Sequence, residues 1–187
     1  MQKEGLAYII GVAAGDGNLS NPNGRAVRLR ITCDNRYPVL MKKIQKEIEK
    51  ILPQNKVSFI FRKDGCTDIS CYSNKWPYLL GWNVGTKYDQ QILLPQWIFQ
   101  KKTFISQCLK GLIETDGTIY VDRGYTMVSF TSTLRGLTYQ VQTMLQILGF
   151  SEKVYSMKPK GNRKIRYNIR VAKDADILIS MIKLNKR

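Results

Sequence analysis

The 187-residue chain contains no histidine. This excludes the nuclease classes that use histidine as general base or metal ligand, and the zinc sites that need it. The four cysteines, Cys33, Cys66, Cys71 and Cys108, include no Cys-x-x-Cys pair, so zinc-finger spacing is absent too. We expect reduced cysteines that fill the fold, although a bridge between Cys66 and Cys71 across a hairpin stays open.

Acidic residues and long apolar runs are also scarce. Fourteen acids stand against 30 lysines and arginines, which gives a formal net charge of +16. Such a chain repels itself when compact, and a bound polyanion relieves the repulsion, so nucleic acid is the first candidate partner and an anionic membrane surface the second. No apolar run approaches a bilayer span, and no signal peptide precedes Leu6. We therefore expect an intracellular protein, cytoplasmic, nucleoid-associated or organellar, that is neither secreted nor inserted in a membrane.

The same order of sequence patterns occurs twice along the chain. It predicts an α+β fold of two αββαββα repeats, in residues 1–84 and 103–187, joined by a connecting segment in residues 85–102. Each repeat is expected to form a curved antiparallel sheet with helices on one face and solvent on the other. The predicted helices, from apolar residues at helical spacing, include Gly5–Asp16, Arg36–Leu52, Thr103–Asp116 and Leu134–Leu148.

The solvent-facing sides of these sheets are predicted to be basic. Lys164, Arg166, Asn168 and Arg170 alternate with apolar residues, so a strand places all four on one face. Long cationic side chains there suit phosphate contacts, and arginine also reads guanine edges. A solvated surface explains any single strand, but several such strands in so basic a chain favour DNA or RNA. The candidate contacts are Arg25, Arg28, Arg30, Arg62, Lys158, Lys164, Arg166, Asn168 and Arg170.

Two helix-ending segments share the dipeptide Asp-Gly: residues 9–17 read IIGVAAGDG and residues 109–117 read LKGLIETDG. Small residues four apart, Gly11 and Gly15 in the first, favour close packing of the two helices. Gly17 and Gly117 are predicted to end the helices as left-handed caps. Packing therefore explains most of both segments.

Packing does not explain Asp16 and Asp116. A carboxylate in the last helical turn faces the negative end of the helix dipole, and parallel helices would bring the two carboxylates together. A divalent cation offsets both costs. Because the last carbonyls of an α-helix have no acceptor role within an isolated helix, those around Gly15 and Thr115 are expected as further oxygen ligands. Such hard oxygen ligands suit Mg²⁺, with Ca²⁺ or Mn²⁺ as substitutes. Paired metals can promote phosphodiester hydrolysis.

Both segments resemble the LAGLIDADG motif of homing endonucleases, and LKGLIETDG is the closer match. IIGVAAGDG keeps the glycine and the final Asp-Gly but has Ala14 in place of the usual first acid. The stretch 128–150, VSFTSTLRGLTYQVQTMLQILGF, resembles the sheet-to-helix region of the same proteins. Two motifs in one chain are typical of the single-chain, pseudo-symmetric form.

This resemblance implies a site-specific, Mg²⁺-dependent double-strand DNA endonuclease of intron- or intein-associated mobility. It implies a monomer whose sheets form a saddle over about two turns of DNA, with each repeat cutting one strand across the minor groove to leave 3′ overhangs. Asp16 and Asp116 would ligate the metal and Lys87 would be a basic catalytic residue. Cys33 and Ser132 lie where relatives carry a polar residue that positions water.

Two alternatives remain open at this stage. An RNA-binding intron maturase would use the same basic sheets, and the sequence does not separate it from a nuclease. A DNA-binding regulator with an inactive site predicts loss of a motif acid, whereas both Asp16 and Asp116 are present.

Overall fold

The computed structural model describes residues 3–159, 161 and 164–184. The elements of the first repeat, in chain order, are α1 (Lys3–Asp16), β1 (Gly17–Ser20), β2 (Arg28–Asp34), α2 (Pro38–Ile51), β3 (Val57–Phe61), β4 (Cys66–Tyr72) and α3 (Trp76–Leu80). The connecting segment holds α4 (Lys87–Gln90) and a 3₁₀ helix (Gln96–Gln100). The second repeat has α5 (Lys102–Asp116), β5 (Gly117–Asp122), β6 (Tyr125–Ser132), α6 (Arg135–Ile147), β7 (Lys153–Met157), β8 (Arg166–Val171) and α7 (Ala175–Met181).

The two repeats form equivalent antiparallel sheets of four strands, ordered β1-β2-β4-β3 and β5-β6-β8-β7. The expected α+β architecture of two repeats is thereby confirmed. Tight turns close the hairpins through residues with positive φ, such as Gly65 at 79° and Gly124 at 84°. Strand β8 starts at Arg166, so Lys164 precedes the strand in which it was predicted.

Helices α1 and α5 lie at the centre of the molecule. Nine consecutive residues of α1, from Leu6 to Ala14, are buried, which is expected of a helix that packs on all sides rather than along one stripe. Helix α2, by contrast, buries a stripe of Met41, Ile44, Ile48 and Ile51 and exposes charged residues on its other face. Because α1 is surrounded by protein, its side chains have to be apolar, and those facing α5 have to be small where the two helices touch.

Glycines set the distance between the two central helices. A Cβ on Gly11 would overlap the carbonyl oxygen of Cys108 and lie 2.9 Å from its carbonyl carbon. A Cβ on Gly111 would lie 2.7 Å from the backbone nitrogen of Val12. Because these neighbours are backbone atoms, no side-chain rotation relieves the clash, and the helices approach as closely as they do only with glycine at both positions.

The prediction that Gly17 and Gly117 are left-handed caps is wrong. Gly117 is extended, with φ −92° and ψ 165°, and Gly17 is not among the residues with positive φ. Each helix passes directly into a strand, since β1 begins at Gly17 and β5 at Gly117. Glycine is required for a steric reason: a Cβ would come within 2.6 Å of the carbonyl oxygen of Ala13 or of Ile113.

We expect Gly11→Ala to destabilise the fold by at least about 2 kcal/mol, because the added methyl forces the two helix backbones apart. Urea unfolding followed by circular dichroism measures the loss. Gly136→Ala is the matched control in α6, where a Cβ meets only the flexible side chain of Leu93. That change should be neutral or slightly stabilising, and equal stability of the two variants would contradict the close helix contact.

Candidate metal centre and nucleic-acid interface

The two motif aspartates end the central helices on the same side of the molecule. Asp16 is exposed and Asp116 is half-buried. A Cβ on Gly15 would lie 2.9 Å from the Thr115 Cβ and 3.4 Å from the Asp116 Oδ2. The carboxylate of one helix therefore lies against the last turn of the other, as the parallel packing of the motifs predicts.

Lys87 lies directly over the carboxyl end of α1. Its Nζ donates hydrogen bonds to the carbonyl oxygens of Ala13 at 3.2 Å and Ala14 at 2.8 Å, and also to that of Gly15. Carbonyls in the last turn mark the negative end of the helix dipole, so an ammonium group there is favoured. Burial lowers the pKa of Lys87, while the nearby carboxylates of Asp116 and Asp16 act in the opposite direction.

Local structure fixes Lys87 in this position. It is the first residue of α4, whose preceding residue Thr86 caps the helix by accepting a hydrogen bond from the Asp89 backbone nitrogen at 3.2 Å. The connecting segment is anchored further along by Gln140 of α6, which accepts from the Leu94 nitrogen at 2.7 Å and donates to the Leu94 oxygen at 3.1 Å. The basic residue suggested by the resemblance thus meets the helix ends, although its role remains a prediction.

An open pocket of about 500 Å³ lies beside these groups. Its lining joins the ends of both central helices to the connecting segment and the second sheet, through Ala14, Gly15, Asn18, Thr86, Lys87, Tyr88, Asp116, Thr131, Ser132, Thr133, Leu134 and Arg166. A phosphate group that enters it would meet the cations of Lys87 and Arg166 together with the carboxylate of Asp116.

The oxygen ligands at the helix ends fit a hard divalent cation that keeps part of its hydration shell. Within residues 3–159, 161 and 164–184, no cluster of three or more histidine, cysteine, aspartate or glutamate side chains could hold a metal. What the helix ends offer is two carboxylates and adjacent carbonyl oxygens. This set suits Mg²⁺, which commonly binds through one or two carboxylates and completes its shell with water and substrate phosphate.

The other residues predicted near this centre, Cys33, Ser132 and Thr115, differ in how deeply they are buried. Cys33 is buried at the end of β2, and burial together with the charge of Asp16 raises its thiol pKa to about 12. Ser132 is half-buried and its hydroxyl accepts from the Leu134 nitrogen at 3.1 Å. Thr115 donates its hydroxyl to the carbonyls of Gly111 at 3.0 Å and Leu112 at 3.1 Å.

Glu114, the first acid of the second motif, points away from Asp116 into the core. Its carboxylate accepts from the Tyr8 hydroxyl at 2.7 Å and from Lys43 Nζ at 3.0 Å, and Lys110 Nζ lies at 3.7 Å. Burial, with Lys110 nearby, lowers the pKa of Lys43 to about 8 although Glu114 opposes this. Because Lys43 belongs to α2 of the first repeat, the buried charges connect the two halves.

The expected basic residues lie along both sheets. Arg28 and Arg30 are half-buried on the open face of β2, and Arg166, Asn168 and Arg170 share the open face of β8. Arg25, Arg62, Lys158 and Lys164 are exposed in the turns and chain segments next to the strands, and Lys164 Nζ lies 3.2 Å above the Tyr88 ring. The described part of the chain holds no helix long and apolar enough to cross a bilayer.

Residues 103–182 match the LAGLIDADG-like domain. Structures of the homing endonuclease I-DmoI are similar over 97% of this chain: mesophilic variants with a TM-score of 0.70 over 97% of that chain, and the complex with DNA and Ca with a TM-score of 0.68 over 91%, both at 17% identity. The N-terminal LAGLIDADG domain of DUF199/WhiA is similar over all of this chain and 86% of its own, with a TM-score of 0.66 and 11% identity.

The chain has the two-repeat LAGLIDADG fold. This confirms the resemblance drawn from the motif residues, and α1 and α5 are its LAGLIDADG helices. A curated relative, a DNA polymerase of Thermococcus sp. (strain GE8), is 26% identical over 155 residues. That match covers 81% of this chain and 9% of the polymerase, so the chain spans less than a tenth of the relative's length.

The partners of the LAGLIDADG-helix acid Glu114 were missed by sequence reasoning. Tyr8 precedes it by 106 residues and Lys43 by 71, and no local pattern links them. A weak signal exists in Lys110, which stands four residues before Glu114 on the same helix face and forms an ion pair with it.

We expect Glu114→Gln to destabilise the protein by about 3 kcal/mol, because it leaves Lys43 and Lys110 with no buried counter-charge. Chemical unfolding measures the change. Glu47→Gln serves as control, since its partner Lys50 is 53% exposed and such a pair contributes less than about 1 kcal/mol. A Glu114→Gln variant as stable as Glu47→Gln would show that the buried network does not need its carboxylate.

Proposed function

We propose that the chain is a site-specific endonuclease that cuts both strands of a DNA duplex with a divalent metal, in support of intron or intein mobility. The observation that carries this proposal is the convergence of Asp116, Gly15 and Lys87 where the LAGLIDADG helices end, beneath two sheets with arginine on their open faces. The complexes of I-DmoI with DNA and Ca, and with DNA and Mn, support the substrate and the cofactor.

In this proposal Asp16 and Asp116 would hold Mg²⁺ with the carbonyl oxygens of Gly15 and Thr115. When bound there, the ion would supply an activated water and neutralise charge on the leaving oxygen. Lys87 would place a cation beside the reacting phosphate, and its Nζ donates to the carbonyls of Ala13, Ala14 and Gly15 in the free protein. Its contact with the Gly15 carbonyl keeps that cation at the helix end before DNA arrives.

The duplex is proposed to lie across both sheets for about two helical turns. Residues 1–84 and 103–187 would each contact one half of the target, and residues 85–102 would carry Lys87 between them. Arg28, Arg30, Arg166 and Arg170 would contact the duplex from opposite ends of the pseudo-symmetric surface. Since one chain supplies both motifs, a monomer suffices.

Cleavage of a randomised duplex library tests the activity itself. Incubation with Mg²⁺ should yield a cut population that is absent with EDTA, and its sequences give the target. A library that stays intact under Mg²⁺ while the protein retains RNA would favour the maturase. An intact library with sequence-specific DNA binding would favour the regulator.

Asp16→Asn and Asp116→Asn should each abolish double-strand cleavage and leave DNA affinity nearly unchanged, because only a metal ligand is lost. Cleavage and gel-shift assays on the selected duplex measure the two effects. Asp174→Asn is the matched control, since this aspartate precedes α7 in a left-handed conformation that asparagine also adopts. Full cleavage by either motif variant removes the metal assignment.

Lys87→Met should lower the single-turnover cleavage rate by roughly 100-fold or more, because a preorganised cation next to the phosphate is lost. Binding to the duplex should change little. The control is Lys102→Met at the exposed start of α5. Equal cleavage rates for the two variants would show that Lys87 only caps the end of α1 and takes no part in cleavage.

A further inference from the structure

The buried cluster around Glu114 contains two lysines for one carboxylate. Lys43 Nζ lies 3.3 Å and Lys110 Nζ 3.7 Å from the same oxygen, Glu114 Oε1. The remaining partner, Tyr8, donates its hydroxyl to Oε2 at 2.7 Å and is neutral, because burial raises its pKa. With both lysines protonated, the cluster carries one positive charge more than Glu114 balances, and each ammonium group disfavours the other.

The two lysines differ in how far solvent reaches them. The side chain of Lys110 is 8% exposed, and its Nζ also donates to the backbone carbonyl of Lys183. The side chain of Lys43 is 28% exposed, and its Nζ lies 3.8 Å from the centre of the Tyr8 ring. Burial, with Lys110 nearby, lowers the pKa of Lys43 to about 8 against the effect of Glu114. Lys43 is therefore the member of the cluster that can lose its proton and still meet a reagent.

An open pocket of about 190 Å³ gives access to Lys43. Helices α1, α2 and α5 supply its other lining residues, which are Glu4, Gly5, Tyr8, Glu47, Lys50 and Gln107. Among the charged groups, Glu47 and Lys50 pair with each other at 2.6 Å and Glu4 is exposed. None of these residues lines the pocket beside Asp116, so the two pockets are separate. A desolvated amine next to a second cation is one form that nucleophilic lysines take in proteins.

We propose that Lys43 is a nucleophilic lysine, activated by the neighbouring ammonium group of Lys110, that accepts an acyl group from a small acyl phosphate. The neutral amine attacks the carbonyl carbon, and the bond between that carbon and the phosphate oxygen breaks. Phosphate leaves with the electron pair and takes the proton that the nitrogen loses, so the products are an amide and hydrogen phosphate. The net charge of +16 favours the approach of such an anionic donor.

The fold can accommodate this modification because it removes the surplus charge. An acylated Lys43 is neutral and keeps one N–H for the Glu114 carboxylate, while Lys110 remains as its counter-charge. The cluster that connects the two repeats is then balanced. This activity goes beyond the cleavage of DNA and does not depend on it.

Incubation of the whole chain with acetyl phosphate, followed by fragmentation mass spectrometry of its peptides, tests the proposal. At pH 8, Lys43 should be acetylated roughly 10-fold or more faster than Lys42, its exposed neighbour on the same helix. The rate at Lys43 should rise up to about pH 8 and then level off, because the amine has lost its proton there. A rate at Lys43 equal to or below that at Lys42 would overturn the inference.

Lys110→Met tests the source of the reactivity. Without the second ammonium group, Lys43 holds its proton to higher pH, so its acetylation at pH 7.5 should slow severalfold. Lys102→Met, at the exposed start of the same helix, is the matched control and should leave the rate at Lys43 unchanged. Equal rates at Lys43 in these two variants would also overturn the inference. The wild-type comparison of Lys43 with Lys42 decides the question even if Lys110→Met unfolds, and no arm of the test uses DNA.

Discussion

Direct contact between the backbones of α1 and α5 is the constraint on which the rest of the structure depends. Gly11 and Gly111 let the two helices touch where any side chain would collide with a carbonyl or an amide. Because the helices meet so closely, their ends bring Gly15, Thr115 and Asp116 together. Each helix then continues directly into a strand, so the same contact also fixes where the two sheets lie relative to the carboxylates.

Charge is distributed around this contact in two separate groups. At the carboxyl ends of the helices, Asp16 and Asp116 lie near the Lys87 ammonium, and Asp116 and Lys87 line a pocket open to a ligand. Further from the ends, Glu114 is enclosed with Tyr8, Lys43 and Lys110. The first motif has Ala14 at the position of Glu114 and buries it as part of the core. The first acid of the motif is therefore a structural residue in the second repeat, as Glu114, and is replaced by Ala14 in the first. The final aspartate, by contrast, is present at the end of both helices, as Asp16 and Asp116.

Much of this arrangement was accessible from the sequence because its signals are local. The repeated Asp-Gly segments and the small residues four apart predicted the central helix pair, and alternation predicted the open faces of β2 and β8. The predicted αββαββα pattern includes strand β1, but its bounds were not predicted because its four residues, Gly17–Ser20, are too few to show a period and follow the helix without a loop. The glycine caps were misread for the same reason, since a chain that enters a strand at once needs no left-handed residue.

Contacts between distant parts of the chain were not accessible in this way. The ion pair between Arg30 of β2 and Asp68 of β4 depends on the register of these two strands, and the position of Lys87 depends on how the connecting segment returns across α1. Neither follows from spacing or composition.

Anomalous diffraction from crystals grown with Mn²⁺ and a bound duplex would locate the metal relative to the two motif aspartates. If these aspartates hold it, an anomalous peak lies within coordinating distance of the carboxylates of Asp16 and Asp116, at the junction of the two helices. Mn²⁺ peaks that contact neither aspartate, in crystals where the duplex lies across both sheets, would contradict this assignment.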